Sequence, residues 1–446
     1  MKYPRPDQVS PPMDNTSPTG NSIASSGVHA TSPKAARNID PTSKNNSCEW
    51  STEDPIHQTF SVHFEYPVCF TENAFALENS LVIDTITKRD SPRPRRVLVW
   101  IDDGVAKAWP DLQETIVRYF IHYQDRCQLA RPPQILPGGE AAKNQSLSAT
   151  SLESLYLELH RHGLDRHDVV LTIGGGALLD ATGFVAATTH RGIRHLRMPT
   201  TVLSQNDSGV GVKNGLNAFG CKNFIGAFAP PFAVINDNSL LRTLDPRDQV
   251  SGMAEAVKVA AILDSQFFFW LESNCFALAS FEVEAVKNSI RRGAELHLQH
   301  IRQSGDAFEQ GNARPLDFGH WAAHKLESMT KHQLRHGEAV AIGIMIDTRY
   351  SVATRRLSRQ AGARMEALLT GLRLPTHHEA LGHVDTSGKL AILEGLEDFR
   401  QHLGGELSIT LLESIGHGVQ VNEVDVSIMS EVCRSLARAE GSADSR

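Results

Sequence analysis

Histidines spaced for one helix face, with carboxylates within reach, are the first sign of chemistry in this chain. His320 and His324 stand at i and i+4 in FGHWAAHKLE, so a helix there carries both on one side. His336 follows in LRHGEAV, and Glu255 lies in SGMAEAVK with Lys258 one helical turn beyond. Two imidazoles and a carboxylate, with water or a substrate oxygen completing the shell, make an open catalytic site of the zinc type. Cobalt or iron suits the same donors, because ligand type alone does not select among them. The i, i+4 pair His320 and His324 is an alternative pair of ligands. The chain has 20 histidines, many of which must serve only packing or solubility. Local spacing leaves these readings open.

A second set of residues suits a nucleotide and a phosphorylated polyol. Gly174-Gly175-Gly176 follows the strand-like VVLTI and precedes a helical stretch carrying Asp180. Glycines there let backbone N–H groups approach a pyrophosphate at a helix N-terminus. The spacing is not GxGxxG, and a plain tight turn reads the same way. Glu140 and Lys143, in PGGEAAK, place an acid and a base after a strand, and Asp102 closes VLVWI, where an acid can accept from a ribose. From Pro199 onward run Thr200, Thr201, Asp207, Lys213, Lys222 and Asn223. The two lysines supply charge for a phosphate, while Asp207 and Asn223 can hydrogen-bond hydroxyls. A structureless surface loop of that length is uncommon unless it has a function.

The elements that must carry these groups change type along the chain. Residues 1–55 are rich in Ser, Thr, Pro and Asn and read as a disordered tail. Strands are predicted from near Gln58 in TFSVHFEYPV, then in RRVLVWID and PPQIL, with helices in LQETIVRYFIHYQ and SLESLYLELHRHG. DVVLTIGGGALLDATGFVAATTHRG then gives strand, glycine turn and helix, half of an α/β nucleotide-binding layer. Helical periodicity dominates after about Asp245. The fold class is therefore α/β. A Rossmann-like dinucleotide-binding domain spans 56–244, and a mostly α-helical metal- and substrate-binding domain spans 245–446.

Composition sets outer limits. The 446 residues are 41% hydrophobic and 21% charged, as in an ordinary globular enzyme. A formal charge of -7 gives no reason to expect nucleic acid or an anionic membrane as partner. No apolar run approaches the roughly 20 residues that span a bilayer, and the N-terminus lacks the apolar core of a secretory signal. Six scattered cysteines form no CxxC pair, which points to reduced thiols and a cytoplasmic location.

The segments PGGEAAK, IGGGALLDATGFVAATTHRGI, PTTVLSQNDSGVGVK, KNFIGAF, GMAEAVK, DFGHWAAHKLE and LRHGEAVAIG, in this order, resemble the 3-dehydroquinate synthase superfamily, the sugar phosphate cyclases. The resemblance runs from about Val97 to Arg356. It implies that Glu255, His320 and His336 hold a divalent metal, zinc foremost with cobalt possible, and that His324 serves the substrate phosphate instead. It implies NAD contacts at Asp102, Glu140, Lys143, Gly174, Gly175, Asp180, Thr200, Thr201, Lys222 and Asn223. Asp207, Lys213, Lys258 and His324 are implied in catalysis. The phosphate falls to Lys213, Asn223, His324 and to Arg191 reaching in from a neighbouring subunit, hence a homodimer. The implied reaction turns a heptulose 7-phosphate into a carbocycle by transient oxidation with NAD, phosphate elimination, re-reduction and aldol closure.

Departures bear on the sugar. The dehydroquinate-forming branch has an arginine where this chain has Ala313, an asparagine where it has Asp317, and GGK where it has Gly211-Val212-Lys213. An alanine cannot grip a substrate carboxylate bidentately, although Arg314 is adjacent. GVK and RPxDFGH look like valiolone-type cyclases, whereas His324 resembles the dehydroquinate branch. The chain is thus intermediate, with sedoheptulose 7-phosphate favoured over 3-deoxy-arabino-heptulosonate 7-phosphate. Iron- or glycerol-type alcohol dehydrogenases and a catalytically degenerate binding protein are the rival classes.

Overall fold

The computed structural model describes Pro55 and residues 57–437, apart from 89–92, 145–151, 220, 305, 309–314 and 403–404. The expected tail, and the Ala313 and Arg314 on which part of the sugar argument turns, lie outside the described residues. The chain divides into two units, Met1–Val62 and His63–Arg446. What is described of the first takes up no regular element.

The second unit is built on a parallel sheet. Its strands are β1 (Val68–Thr71), β2 (Arg95–Asp102), β3 (Cys127–Leu129), β4 (Gln134–Leu136), β5 (Val169–Gly174), β6 (Arg194–Pro199) and, after a hairpin of β7 (Lys213–Ala218) and β8 (Cys221–Phe228), β9 (Ala233–Asp237). The order is β1-β9-β6-β5-β2-β3, with β4 pairing further along β2. Alternation explains why β2 is apolar throughout. Val97, Val99 and Ile101 enter the core on one face of the sheet, and Leu98 and Trp100 enter the core on the other. A strand covered on both sides needs apolar residues at every position, and each fully buried branched side chain contributes about 1.5–3 kcal/mol.

From Pro246 on the chain is mainly helical. Met253–Leu263, Val283–Gln303, His320–Met329 and His336–Ala353 carry the groups discussed below. Met253–Leu263 is buried on nearly every side, which its run of alanine, valine and isoleucine allows.

Two sequence expectations need correction. TFSVHFEYPV alternates as a strand should, yet only Val68 onward is strand, and residues 57–65 are exposed. β1 pairs with β9 from Val68↔Val234 to Thr71↔Asp237, and β9 begins at Ala233, so beyond the Val234 N–H bond to the Pro67 carbonyl it offers no partner to earlier residues. The helical half also holds a hairpin, β10 (Ile409–Ser414) with β11 (His417–Val421), turned at Gly416 with φ 85°. Its Gly416 N–H donates to the Ala261 carbonyl at 2.7 Å and so fastens the hairpin to the Met253–Leu263 helix.

Candidate active site

Three donors converge where three helices begin. Glu255 lies in the first turn of Met253–Leu263, His320 opens His320–Met329 and His336 opens His336–Ala353. Glu255 Oε1 is 3.7 Å from His320 Nε2 and 3.4 Å from His336 Nε2, and one ligand atom from each residue lies within 4.8 Å of the others. Main-chain contacts set these positions. A Cβ on Gly337 would meet the Ser251 carbonyl oxygen at 1.8 Å, and one on Gly343 would meet the Gly319 carbonyl oxygen at 2.0 Å. Gly319 itself has φ 78°, the left-handed region that favours glycine, immediately before His320.

The donor set fits a divalent cation. Neither Glu255 oxygen accepts a well-directed hydrogen bond among the described residues, although the carboxylate is 1% exposed. Lys258 Nζ does lie 2.5 Å from Oε2, but as an ion-pair contact. A buried carboxylate with lone pairs left over, facing two imidazoles, is the arrangement a cation satisfies. Burial works against a charged Lys258, but Asp207 and Glu255 outweigh it and hold the ammonium well above its ordinary range. Burial, and then Lys258, pushes His320 down to about 4, so its imidazole is neutral and a competent ligand. Burial opposes protonation of His336 too, but Glu327 and Glu255 hold its proton.

A second polar cluster covers the carboxyl ends of the strands. Lys143 is buried, with Nζ donating to Asn223 Oδ1 at 2.7 Å and pairing with Asp180 Oδ2 at 2.5 Å. Asn217 donates to Glu140 Oε1 at 2.6 Å. Gly174 ends β5, and Gly175 precedes the first turn of the Gly176–Thr188 helix. Thr200 N–H donates to the Gly174 carbonyl at 3.1 Å, and the Thr201 hydroxyl bonds to Ser204. Asp102 accepts from Gly104 N and Val105 N, capping the Asp103–Ala108 helix. Burial raises its pKa. Glu327, in the His320–Met329 helix, joins the two clusters: Lys222 Nζ donates to Oε1 at 2.8 Å, and Oε2 is 3.3 Å from His336 Nδ1.

Comparison with known proteins identifies the architecture. Residues 134–251 match the model of the 3-dehydroquinate synthase N-terminal domain and 252–394 that of its C-terminal domain. A 3-dehydroquinate synthase of Psychrobacter cryohalolentis is 32% identical over 387 residues, 86% of this chain and 98% of its own. This chain belongs to the 3-dehydroquinate synthase family. Among solved structures, a 2-epi-5-epi-valiolone synthase from Streptomyces hygroscopicus, with NAD+ and Zn2+ bound, superposes with a TM-score of 0.73. It is 26% identical and covers 86% of this chain and 99% of its own. A glycerol dehydrogenase from Schizosaccharomyces pombe, 15% identical at a TM-score of 0.56 over 86% of this chain and 92% of its own, shares the fold alone.

In this synthase-family chain the sequence-predicted residues fall into three groups. Glu255, His320, His336, Lys258 and Asp207 come together, Asp207 Oδ1 lying 3.5 Å from Lys258 Nζ. His324 stands exposed beside them, its ring 5.6 Å from that of His320. Glu140, Lys143, Asp180, Lys222 and Asn223 form the strand-end cluster. Lys213 is exposed at the start of β7. Arg191 is exposed with φ 62° in the Thr189–Arg191 turn, and no contact joins it to either cluster among the described residues. Two site residues were missed. Glu327 follows His324 by three positions in HWAAHKLE, a spacing that puts it on the same helix face. His297 contacts Asp207 from 90 residues away, and no local pattern announces it.

Proposed function

We propose that this protein is an NAD- and metal-dependent sugar phosphate cyclase that releases phosphate from a heptulose 7-phosphate, with sedoheptulose 7-phosphate as its preferred substrate. The observation that carries the reading is the trio of buried Glu255, buried His320 and half-buried His336, with Lys258 between Glu255 and Asp207. When bound, the cation would supply a Lewis acid at the sugar oxygens, and NAD a hydride acceptor that is regenerated when the hydride returns to the sugar within the same turnover.

The chain's own groups then have defined work. Glu255, His320 and His336 would hold the cation. Gly174 and Gly175 leave the Gly176–Thr188 helix N-terminus open to a pyrophosphate, with Asp102, Glu140, Lys143, Asp180, Thr200, Thr201, Lys222 and Asn223 lining the nucleotide side. Lys258 Nζ holds a proton for the reacting hydroxyl, and Asp207 orients it. Lys213, Asn223 and His324 take the phosphate, with Arg191 arriving from a second copy in a homodimer.

Asp317 supports the choice of sugar. It lies in the Pro315–Asp317 turn ahead of His320, close enough for its charge to stabilise the Lys258 ammonium. An anion there disfavours a substrate carboxylate and leaves the uncharged hydroxyl groups that sedoheptulose 7-phosphate presents in its place unaffected. The relatives named 3-dehydroquinate synthase support the carboxylated sugar as the second reading.

Release of inorganic phosphate, followed side by side from sedoheptulose 7-phosphate and from 3-deoxy-arabino-heptulosonate 7-phosphate, tests both. Turnover of the first without NADH accumulating is expected, and faster turnover of the second would overturn the substrate choice. Net NADH formation without phosphate release would sink the cyclase reading. Mixing inactive Arg191→Ala and Glu255→Ala chains should restore part of the activity if the arginine is shared across a dimer.

A further inference from the structure

Asp207 has a neighbour that the reaction as described does not use. His297 projects from the Val283–Gln303 helix, which packs on the short turn Ser204–Ser208 that carries Asp207. Its Nδ1 is 2.9 Å from Asp207 Oδ1, the same oxygen that faces Lys258 Nζ at 3.5 Å. The ring's other edge lies close against the main chain. A Cβ on Gly211 would come within 3.0 Å of His297 Nε2. Gly211 is not among the residues with positive φ, so a glycine there answers to the imidazole beside it and not to backbone strain.

We propose that His297 is a positioning residue: by donating from Nδ1 to Asp207 Oδ1 it fixes that carboxylate at a set distance from Lys258. The inference rests on the cyclase reading above. Lys258 is shared between two carboxylates, with Glu255 Oε2 at 2.5 Å and Asp207 Oδ1 at 3.5 Å. A shift of Asp207 toward the ammonium would draw it from Glu255, and a shift away would leave it wholly with Glu255. Either change alters the lone pairs Glu255 can offer a cation and the direction in which Lys258 presents its proton. The imidazole is the nearer partner of Oδ1, at 2.9 Å against 3.5 Å, and its hydrogen bond sets where between these limits Asp207 rests. Gly211 gives the ring its seat, and Gly211 and Lys213 belong to the same segment. His297 thereby ties the substrate-side segment to the helical layer.

The test uses the full chain loaded with zinc and NAD and four variants: His297→Asn, His297→Phe, Gly211→Ala and Asp207→Asn. Asparagine places its amide N–H where Nδ1 stands, phenylalanine fills the space without a donor, and the alanine methyl displaces the ring. For phosphate release, His297→Phe and Gly211→Ala should each lower kcat about tenfold or more, the loss of one well-placed hydrogen bond, with KM nearly unchanged. His297→Asn should recover most of kcat. Unchanged kcat in His297→Phe, or equal losses in His297→Asn and His297→Phe, overturns the proposal. Should the wild-type protein release phosphate from neither sugar, the cyclase reading fails, and thermal unfolding judges the contact by itself. Additive shifts for His297→Phe and Asp207→Asn then overturn the coupling, and non-additive ones support it.

Discussion

His336 is addressed from both ring nitrogens, by Glu255 Oε1 at Nε2 and by Glu327 Oε2 at Nδ1. A neutral imidazole carries one proton, and a carboxylate at Nδ1 places it there, leaving the Nε2 lone pair for a cation. Glu327→Gln removes the charge that fixes this tautomer. Its affinity for zinc should fall about 10–100-fold, measured by competition with a chelator in the absence of NAD and sugar. Unaltered affinity would show that Glu327 serves only Lys222. At this scale the sequence was half legible. The i, i+4 spacing of His320 and His324 suggests that pair, whereas Glu255 Oε1 meets His320 and His336. Their separations of 65 and 81 positions reflect helix packing, which periodicity does not encode. His297 was beyond reach for the same reason, while Glu327 stood in plain view within a motif.

Elements were more legible where one physical rule acts alone. Continuous apolar runs in β2 and β5 mark strands buried on both faces, and the glycines after β5 mark the turn into a helix. TFSVHFEYPV misleads because alternation describes a strand's faces but not whether a partner strand exists. The β10–β11 hairpin escaped because its short alternating runs lie among strongly helical segments. The stretch from Pro199 to Lys213 reads as a glycine-bearing loop, yet a buried guanidinium shapes it from below. Arg197 Nη1 donates to the Gly209 and Gly211 carbonyls at 3.2 and 2.8 Å, and Nη2 to Asn214 Oδ1 at 2.7 Å. Arg197→Leu would orphan these buried acceptors and is expected to lower stability by about 3 kcal/mol or more, read from urea unfolding. A loss under 1 kcal/mol would mean that the segment keeps its shape without the arginine.

At the scale of the molecule, the strand-end cluster and the helical trio share one line of alternating charge: Asp207, Lys258, Glu255, His336, Glu327 and Lys222. Beneath it, one buried acid makes stability depend on pH. Asp347 is fully buried and accepts from Gly319 N and Trp321 Nε1, both at 2.9 Å, yet burial pushes it up to about 7. An acid raised on folding favours the folded state fully only below its unfolded pKa of 3.8. That advantage is lost progressively as pH rises toward 7, because the folded chain must then bury a charge. Between pH 5 and pH 8 this amounts to about 2–3 kcal/mol. Asp347→Asn should flatten the urea midpoint over that range, and an unchanged slope would place the pH dependence elsewhere. Asp347 also bonds the N–H of Gly319, which returns attention to the glycines beside the trio. Gly319 and Gly343 touch through peptide units, and Gly337 lies against the Ser251 carbonyl with only that residue's small hydroxyl beside it. A jaw set by backbone thickness has no rotamers to adjust. Its gap is a fixed gauge, so the spacing of the three helix starts is expected to outlast exchange of the side chains around them.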